Sequence, residues 1–163
     1  MMRVDFYHLQ TTTLDKVVPV LAERVAGTGK RLLIKAMAEQ AAHLDSLLWT
    51  YRADSWLPHG IAGEGFESEQ PILIAADGGN ANNAAMIMLT DGGTVDEIKG
   101  FERCLNIFDG NSDEAVAAAR LFWKAVVAAG FEAYYWAQND AGKWEMKASK
   151  LPASPQTTPP SQS

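Results

Sequence analysis

Two cationic residues and a tryptophan lie at helical spacing in the last predicted helix. Cationic side chains can bind negative charge and a tryptophan can bind apolar surface, so together they could bind a ligand that has both. Arg120, Trp123 and Lys124 share one face of this helix with Val116 and Val127. An arginine can hold a carboxylate through two parallel hydrogen bonds, and a tryptophan can form the wall of an apolar pocket. This face therefore suits an acidic peptide with an apolar anchor. It also suits a boundary face on which cationic side chains lie beside a half-buried Trp123, and the residue types alone favour this second interpretation.

A second candidate lies between residues 43 and 65, the most distinctive stretch of the sequence. It begins as an amphipathic helix and continues as a loop marked by proline and glycine. Trp49 and Trp56 flank this loop together with Pro58 and His59. A connection that carries aromatic side chains either packs back onto the core or offers a contact surface. The residues leave both possibilities open.

Signatures of nucleotide binding are incomplete. Residues 27–30 (GTGK) resemble a fragment of a phosphate-binding loop, but Arg24 stands where that loop requires glycine, and Arg31 replaces its Ser or Thr. The segment also leads into a strand, whereas a phosphate-binding loop follows one, so we interpret it as a helix C-terminus. Residues 77–83 (DGGNANN) follow a strand and could approach a phosphate, but an exposed turn is the favoured interpretation.

The titratable residues show no catalytic or metal-binding pattern. The three histidines have no short ligand spacing among themselves or with the single cysteine. These residues are His8, His43, His59 and Cys104. We expect a buried structural thiol, no metal and no cofactor. The scattered acids are expected to be solvated or helix-capping residues: Asp5, Asp45, Asp54 and Glu64.

Hydrophobic periodicity predicts strands that alternate with helices. The predicted strands are 4–9, 31–35, 71–75, 85–89 and 103–109, and the helices are 14–26, 37–49, 95–101 (short) and 113–129. Residues 131–138 and 143–147 are predicted to form either a terminal hairpin or one strand with an extension. This order is typical of a single three-layer α/β domain with a mainly parallel sheet. The stripe expected to pack helix 113–129 on the sheet consists of Ala115, Ala118, Ala119, Phe122, Ala125, Val126 and Ala129.

The composition and net charge of the chain limit the functions that the protein could have. The chain has 163 residues, a net charge of −6 and a pI near 5.0, which argues against broad, sequence-independent binding to nucleic acid. The sequence has no apolar run of the length needed to cross a bilayer, so we expect a cytoplasmic protein without membrane contact. Residues 1–149 are predicted to form the domain. Residues 150–163 are rich in Pro, Ser and Thr and are predicted to form a flexible tail.

Over residues 3–138 the sequence resembles the chi subunit family of bacterial DNA polymerase III holoenzyme. The most specific part is the segment from Leu47 to Glu64, which is similar to the family's L-W, S-F-x-P-H and A-G-E signature, with Trp56 in place of Phe. Further similarity lies in Phe6-Tyr7, Gly29-Lys30-Arg31, the PILIA strand, and the helix through Arg120 and Trp123 to Gly130-Phe131.

The resemblance implies a non-catalytic accessory subunit of the clamp-loader complex, with a Rossmann-like fold that lacks a working nucleotide site. Family members bind the acidic C-terminal tail of single-stranded DNA-binding protein, and many also bind the psi subunit. By position, Arg120 would hold the tail's carboxylates, Trp123 would replace a family Tyr, and Lys124 would add charge. Val116 stands where the family has a lysine.

The psi or clamp-loader contact would lie around Trp49, Trp56, Pro58 and His59. Nucleic acid would then be reached only through partner proteins. The alternative function is that of a Rossmann-type enzyme that binds a nucleotide or another cofactor, which is suggested by the predicted sheet and the glycine-rich loops.

Overall fold

Strands and helices alternate along the polypeptide as the sequence predicts. The computed structural model describes residues 2–50, 58–63, 65, 67–76 and 80–151. The strands are β1 (Arg3–Leu9), β2 (Leu32–Lys35), β3 (Gly60–Ile61), β4 (Ile72–Ala75), β5 (Met86–Leu89), β6 (Arg103–Asp109), β7 (Glu132–Gln138) and β8 (Trp144–Lys150). The helices are α1 (Leu14–Gly27), α2 (Ala38–Thr50), α3 (Val95–Ile98) and α4 (Asp113–Ala128), with a 3₁₀ turn at Glu67–Glu69.

The strands form one sheet in the order β3-β4-β2-β5-β6-β1-β7-β8. Neighbouring strands are parallel throughout the described residues, with the exception of the antiparallel pair β7 and β8. Residues of α1 and α2 contribute to a buried cluster on one face, and residues of α3 and α4 contribute to the cluster on the other. The predicted three-layer α/β architecture is therefore confirmed.

The inner strands are apolar along their whole length because helices cover both faces of the sheet. Strands β2, β4 and β5 read LLIK, ILIA and MIML, and each is buried except at Lys35.

The turn before β5 is hydrogen-bonded to the start of β2 and to the segment that precedes β4. Asn82 is fully buried there and donates to the carbonyls of Leu32 and Gln70 at 3.1 and 3.0 Å. Asn82 therefore has a structural role that the prediction of an exposed turn did not include.

Several boundaries differ from the prediction. The two-residue strand β3 was not expected, and α3 is a single turn from Val95 to Ile98. Strand β8 runs to Lys150, three residues beyond the predicted end. Residues 152–163, the main part of the predicted tail, lie outside the described residues. Among the helices that the structure describes, none combines the length and apolarity that crossing a membrane requires.

Asp5 corrects the expectation that the scattered acids are solvated. It lies on β1, an inner strand, and its side chain is fully buried. Its carboxylate accepts hydrogen bonds from Nε of Arg103 at 2.8 Å, from Nε1 of Trp136 at 2.9 Å and from Arg3 at 2.9 Å. The guanidinium of Arg3 also lies 4.2 Å above the ring of Tyr134. These contacts stabilise a charge that burial alone would disfavour.

We expect Asp5→Asn to lower the free energy of unfolding by about 2–3 kcal/mol, because a neutral amide leaves two guanidinium groups without their shared carboxylate. Urea denaturation followed by circular dichroism measures the change. Asp140→Asn makes the same chemical substitution at an exposed turn residue and should alter stability by less than about 0.5 kcal/mol. Equal effects of the two substitutions would show that the buried cluster has no special role.

Candidate interaction surfaces

Local sequence signals determine where α4 begins and ends. The Ser112 hydroxyl accepts a hydrogen bond from the Ala115 amide at 3.1 Å, and Asp113 and Glu114 occupy the first turn. These acids favour the positive end of the helix dipole. Gly130 follows the helix with a φ of 82°, which glycine adopts without steric cost. Ser112 and Gly130 thus mark the two ends of α4.

The buried face of α4 is rotated relative to the predicted stripe. Ala119, Phe122 and Val126 are buried. By contrast, three alanines of the predicted stripe are exposed: Ala118, Ala125 and Ala129. The larger residues Val116, Trp123 and Val127 are partly buried against the same cluster instead. Burial therefore follows side-chain size, because an alanine gains little by facing the core.

Trp123 is held by an aromatic cluster. The ring of Phe6, which is fully buried on β1, lies 5.2 Å from Trp123 and 5.5 Å from Phe122 between ring centroids. Tyr135 of β7 approaches Trp123 edge-on at 6.0 Å. Tilted and edge-to-face contacts of this kind are favourable geometries for aromatic pairs. The indole is thus fixed on one side and partly exposed on the other, as expected for a half-buried Trp123.

The exposed side of Trp123 lines a shallow groove of about 410 Å³. Its lining residues are Trp123, Lys124, Val127, Ala128 and Lys150. Lys124 and Arg120 are both exposed, one helical turn apart. Neither forms an ion pair or a side-chain hydrogen bond with any residue that the structure describes. The groove therefore combines an apolar floor with cations that are free to bind an external anion.

Lys150 is a lining residue that the sequence analysis assigned to the tail. It reaches the groove because β8 pairs with β7 in a register that places Lys150 opposite Ala133. An irregularity between Tyr135 and Trp136 shifts this register. The seven-residue length of β8 and the irregularity are set by tertiary packing, so the alternation in the sequence could not reveal this lysine.

The positive charge of Arg120 affects the pKa values of two side chains, one on β1 and one on β7. Burial lowers the pKa of His8, and the nearby Arg120 guanidinium lowers it further. The pKa of Tyr135 is raised by burial, an effect that Arg120 opposes. Nδ1 of His8 and the hydroxyl of Tyr135 form a hydrogen bond. Arg120 therefore acts electrostatically on both His8 and Tyr135.

The second candidate surface is partly described. Trp49, at the end of α2, is 47% exposed, and its ring lies 4.2 Å from the ring of His59. Nε2 of His59 donates to the side chain and the carbonyl of Asp45, at 3.0 and 3.1 Å. The His59 side chain is itself inaccessible, so it positions Trp49 and cannot contact a partner directly. Pro58 is half-buried, and Trp56 lies outside the described residues.

The remaining sequence motifs have structural explanations. Thr28 ends α1, where its hydroxyl donates to the Val25 carbonyl at 2.6 Å, and Gly29 adopts a φ of 80°. The helix-end interpretation of residues 27–30 is confirmed. Cys104 is buried, and burial raises the pKa of its thiol. Within the described ranges, no group of three or more His, Cys, Asp or Glu side chains could hold a metal ion.

Comparison with known proteins relates the chain to one family. The sequence model of the family described as DNA polymerase III chi subunit, HolC, matches residues 1–134. DNA polymerase III subunit chi of Escherichia coli (strain K12) is 40% identical over 84 residues, which cover 46% of this chain and 56% of that protein. The probable DNA polymerase III subunit chi of Rickettsia prowazekii is 24% identical over 109 residues, 66% of each chain.

A further relative is DNA polymerase III subunit chi of Pseudomonas aeruginosa, which is 31% identical over 78 residues, or 45% of this chain and 54% of that protein. The chain spans between about half and two thirds of the lengths of these three relatives. The family match covers most of the α/β domain, including the segment that contains Trp49 and His59 and the whole of α4. The chain belongs to the DNA polymerase III chi subunit family.

Proposed function

We propose that this protein is a non-catalytic accessory subunit of the DNA polymerase III clamp-loader complex, and that it links the replicase to single-stranded DNA-binding protein by holding that protein's acidic C-terminal tail. The observation that carries the proposal is the groove beside α4. In it, the exposed side of Trp123 adjoins Lys124 and Lys150, and the exposed Arg120 lies one helical turn before Lys124. None of these three cations forms an ion pair with a described residue.

The chemistry of the groove matches that of the tail. A peptide ending in Phe with a free carboxylate can place its ring against Trp123 and Val127. Its terminal carboxylate can accept two parallel hydrogen bonds from Arg120. Preceding aspartates can pair with the exposed Lys124 and Lys150, and exposed charges of this kind contribute mainly to the association rate and to salt dependence.

Lys150 is also relevant to position 116, where this sequence departs from the family pattern. This valine stands where the family has a lysine, so one cation of the family pattern is missing on α4. We infer that Lys150, which lies across the groove on β8, supplies a replacement charge. The apolar Val116 packs partly against the core.

Arg120→Ala should weaken binding of a peptide ending Asp-Asp-Asp-Ile-Pro-Phe by about tenfold or more, because it removes charge-assisted hydrogen bonds to the terminal carboxylate. Fluorescence anisotropy with labelled peptide measures the dissociation constant. Binding to the unmodified protein should weaken as salt is raised. Lys150→Ala should produce a smaller loss, since that cation lies at the rim.

Lys16→Ala is the matched control, because Lys16 is an exposed cation on α1, which packs on the opposite face of the sheet. It changes the net charge by the same amount and should leave affinity unchanged. If Arg120→Ala and Lys16→Ala weaken binding equally, the effect is one of net charge and the groove is not the site. Circular dichroism of each variant verifies that the fold is retained.

We propose further that the surface around Trp49 is the contact with the psi subunit or another clamp-loader subunit. A tryptophan that is half-exposed and held against a buried histidine is a rigid anchor for an interface. Pro58 lies beside His59 in the chain and Trp56 belongs to the same segment, so Pro58 and Trp56 would contribute to the same contact, and the buried His59 would act by positioning Trp49.

Trp49→Ala should abolish or weaken binding to purified psi subunit by at least about tenfold, while the affinity for the acidic peptide stays unchanged. Isothermal titration calorimetry measures both interactions. Leu121→Ala, which removes a 68% exposed apolar side chain from α4, serves as a control and should preserve psi binding. Retained psi binding by Trp49→Ala would exclude this surface.

A further inference from the structure

A crevice opens on the other flank of α4, away from the Arg120 face. It has a volume of about 430 Å³ and lies beyond the carboxyl ends of β5 and β6, between the loop after β5 and the first turns of α4. In parallel α/β sheets this is the position at which ligands commonly bind. The groove proposed for the acidic peptide uses none of its lining residues.

Asn106 of β6 lines this crevice and carries an unsatisfied polar group. The residue is 2% exposed, and its Oδ1 has no hydrogen-bond partner among the residues that the structure describes. An unpaired buried acceptor is costly, because it has lost its water without gaining a replacement. A ligand that donates a hydrogen bond into the crevice would remove this cost.

The rim of the crevice is acidic. Its charged lining residues are Asp91, Asp109 and Glu114, which are exposed, and none of them is ion-paired within the described part of the chain. Oδ1 of Asp109 accepts a hydrogen bond from the backbone amide of Asn111 at 2.9 Å. No Lys, Arg or His is among the described residues that line the crevice. This potential repels a phosphate and attracts a cation.

The number and type of acceptors favour a guanidinium over an ammonium ion. The lining residues offer one unpaired amide oxygen and three carboxylates, which are more acceptor groups than the three donors of an ammonium group can satisfy. A guanidinium has five donors in a planar arrangement. Phe108 and Phe122 add apolar walls against which its weakly hydrated faces can pack. We propose that this crevice binds the guanidinium of an arginine side chain presented by a protein partner.

NMR titration of the isotope-labelled full chain with N-acetyl-arginine amide tests the proposal. The largest shift changes are expected at the Asn106 side-chain amide and at the backbone of residues 91–93 and 112–115. N-acetyl-citrulline amide has nearly the same shape without the charge and should cause much smaller changes. Equal responses to both compounds, or the same crevice shifts with inorganic phosphate, would overturn the proposal.

Substitutions of the residues that line the crevice provide a second test of the proposal. Asn106→Leu and the double substitution Asp91→Asn with Glu114→Gln should each weaken binding by about tenfold. Asp140→Asn changes an exposed acid at the turn between β7 and β8 and should have no effect. The double variant alters exposed residues and retains the fold even if Asn106→Leu does not. Unchanged affinity in the double variant would contradict the assignment.

Discussion

The packing of Phe6 against Trp123 is the contact on which the candidate binding face depends. Phe6 lies on β1, which is paired on both sides and cannot shift without disrupting β6 and β7. The ring of Phe6 packs against the indole of Trp123 from the side of the sheet. This contact fixes the rotation of α4 about its helical axis. Arg120 and Lys124 must then face solvent. The position of the cations is thus a consequence of the sheet's core.

The two flanks of α4 carry opposite charge. One presents Arg120 and Lys124 beside a partly exposed tryptophan, and the other adjoins a crevice rimmed by Asp91, Asp109 and Glu114. In a chain with a net charge of −6, this segregation places cations and carboxylates on opposite sides of one helix. Under the proposed function, an acidic peptide would be attracted to the Arg120 side of α4 and repelled by the crevice side, which would favour a single bound orientation. Such selectivity suits a subunit that connects other proteins.

The sequence was sufficient for the alternation of strands and helices and for the parallel sheet, since these depend on hydrophobic periodicity and local signals. It was insufficient where tertiary geometry decides. Ala118, Ala125 and Ala129 were wrongly placed in the core because alanine has little preference for either environment. The burial of Asp5 depends on guanidinium groups and an indole contributed by three strands, and Lys150 reaches the groove only through the register of β8. Neither has a local signature.

The most direct test of the account is a double-mutant cycle between Arg120 and the terminal carboxylate of the bound peptide. Dissociation constants are measured for the original protein and for Arg120→Ala, each with the free-acid peptide and with the same peptide amidated at its C-terminus. A coupling free energy of about 1 kcal/mol or more is expected if the guanidinium and the carboxylate interact directly, as proposed. Strictly additive effects would contradict it and would place the carboxylate elsewhere on the protein.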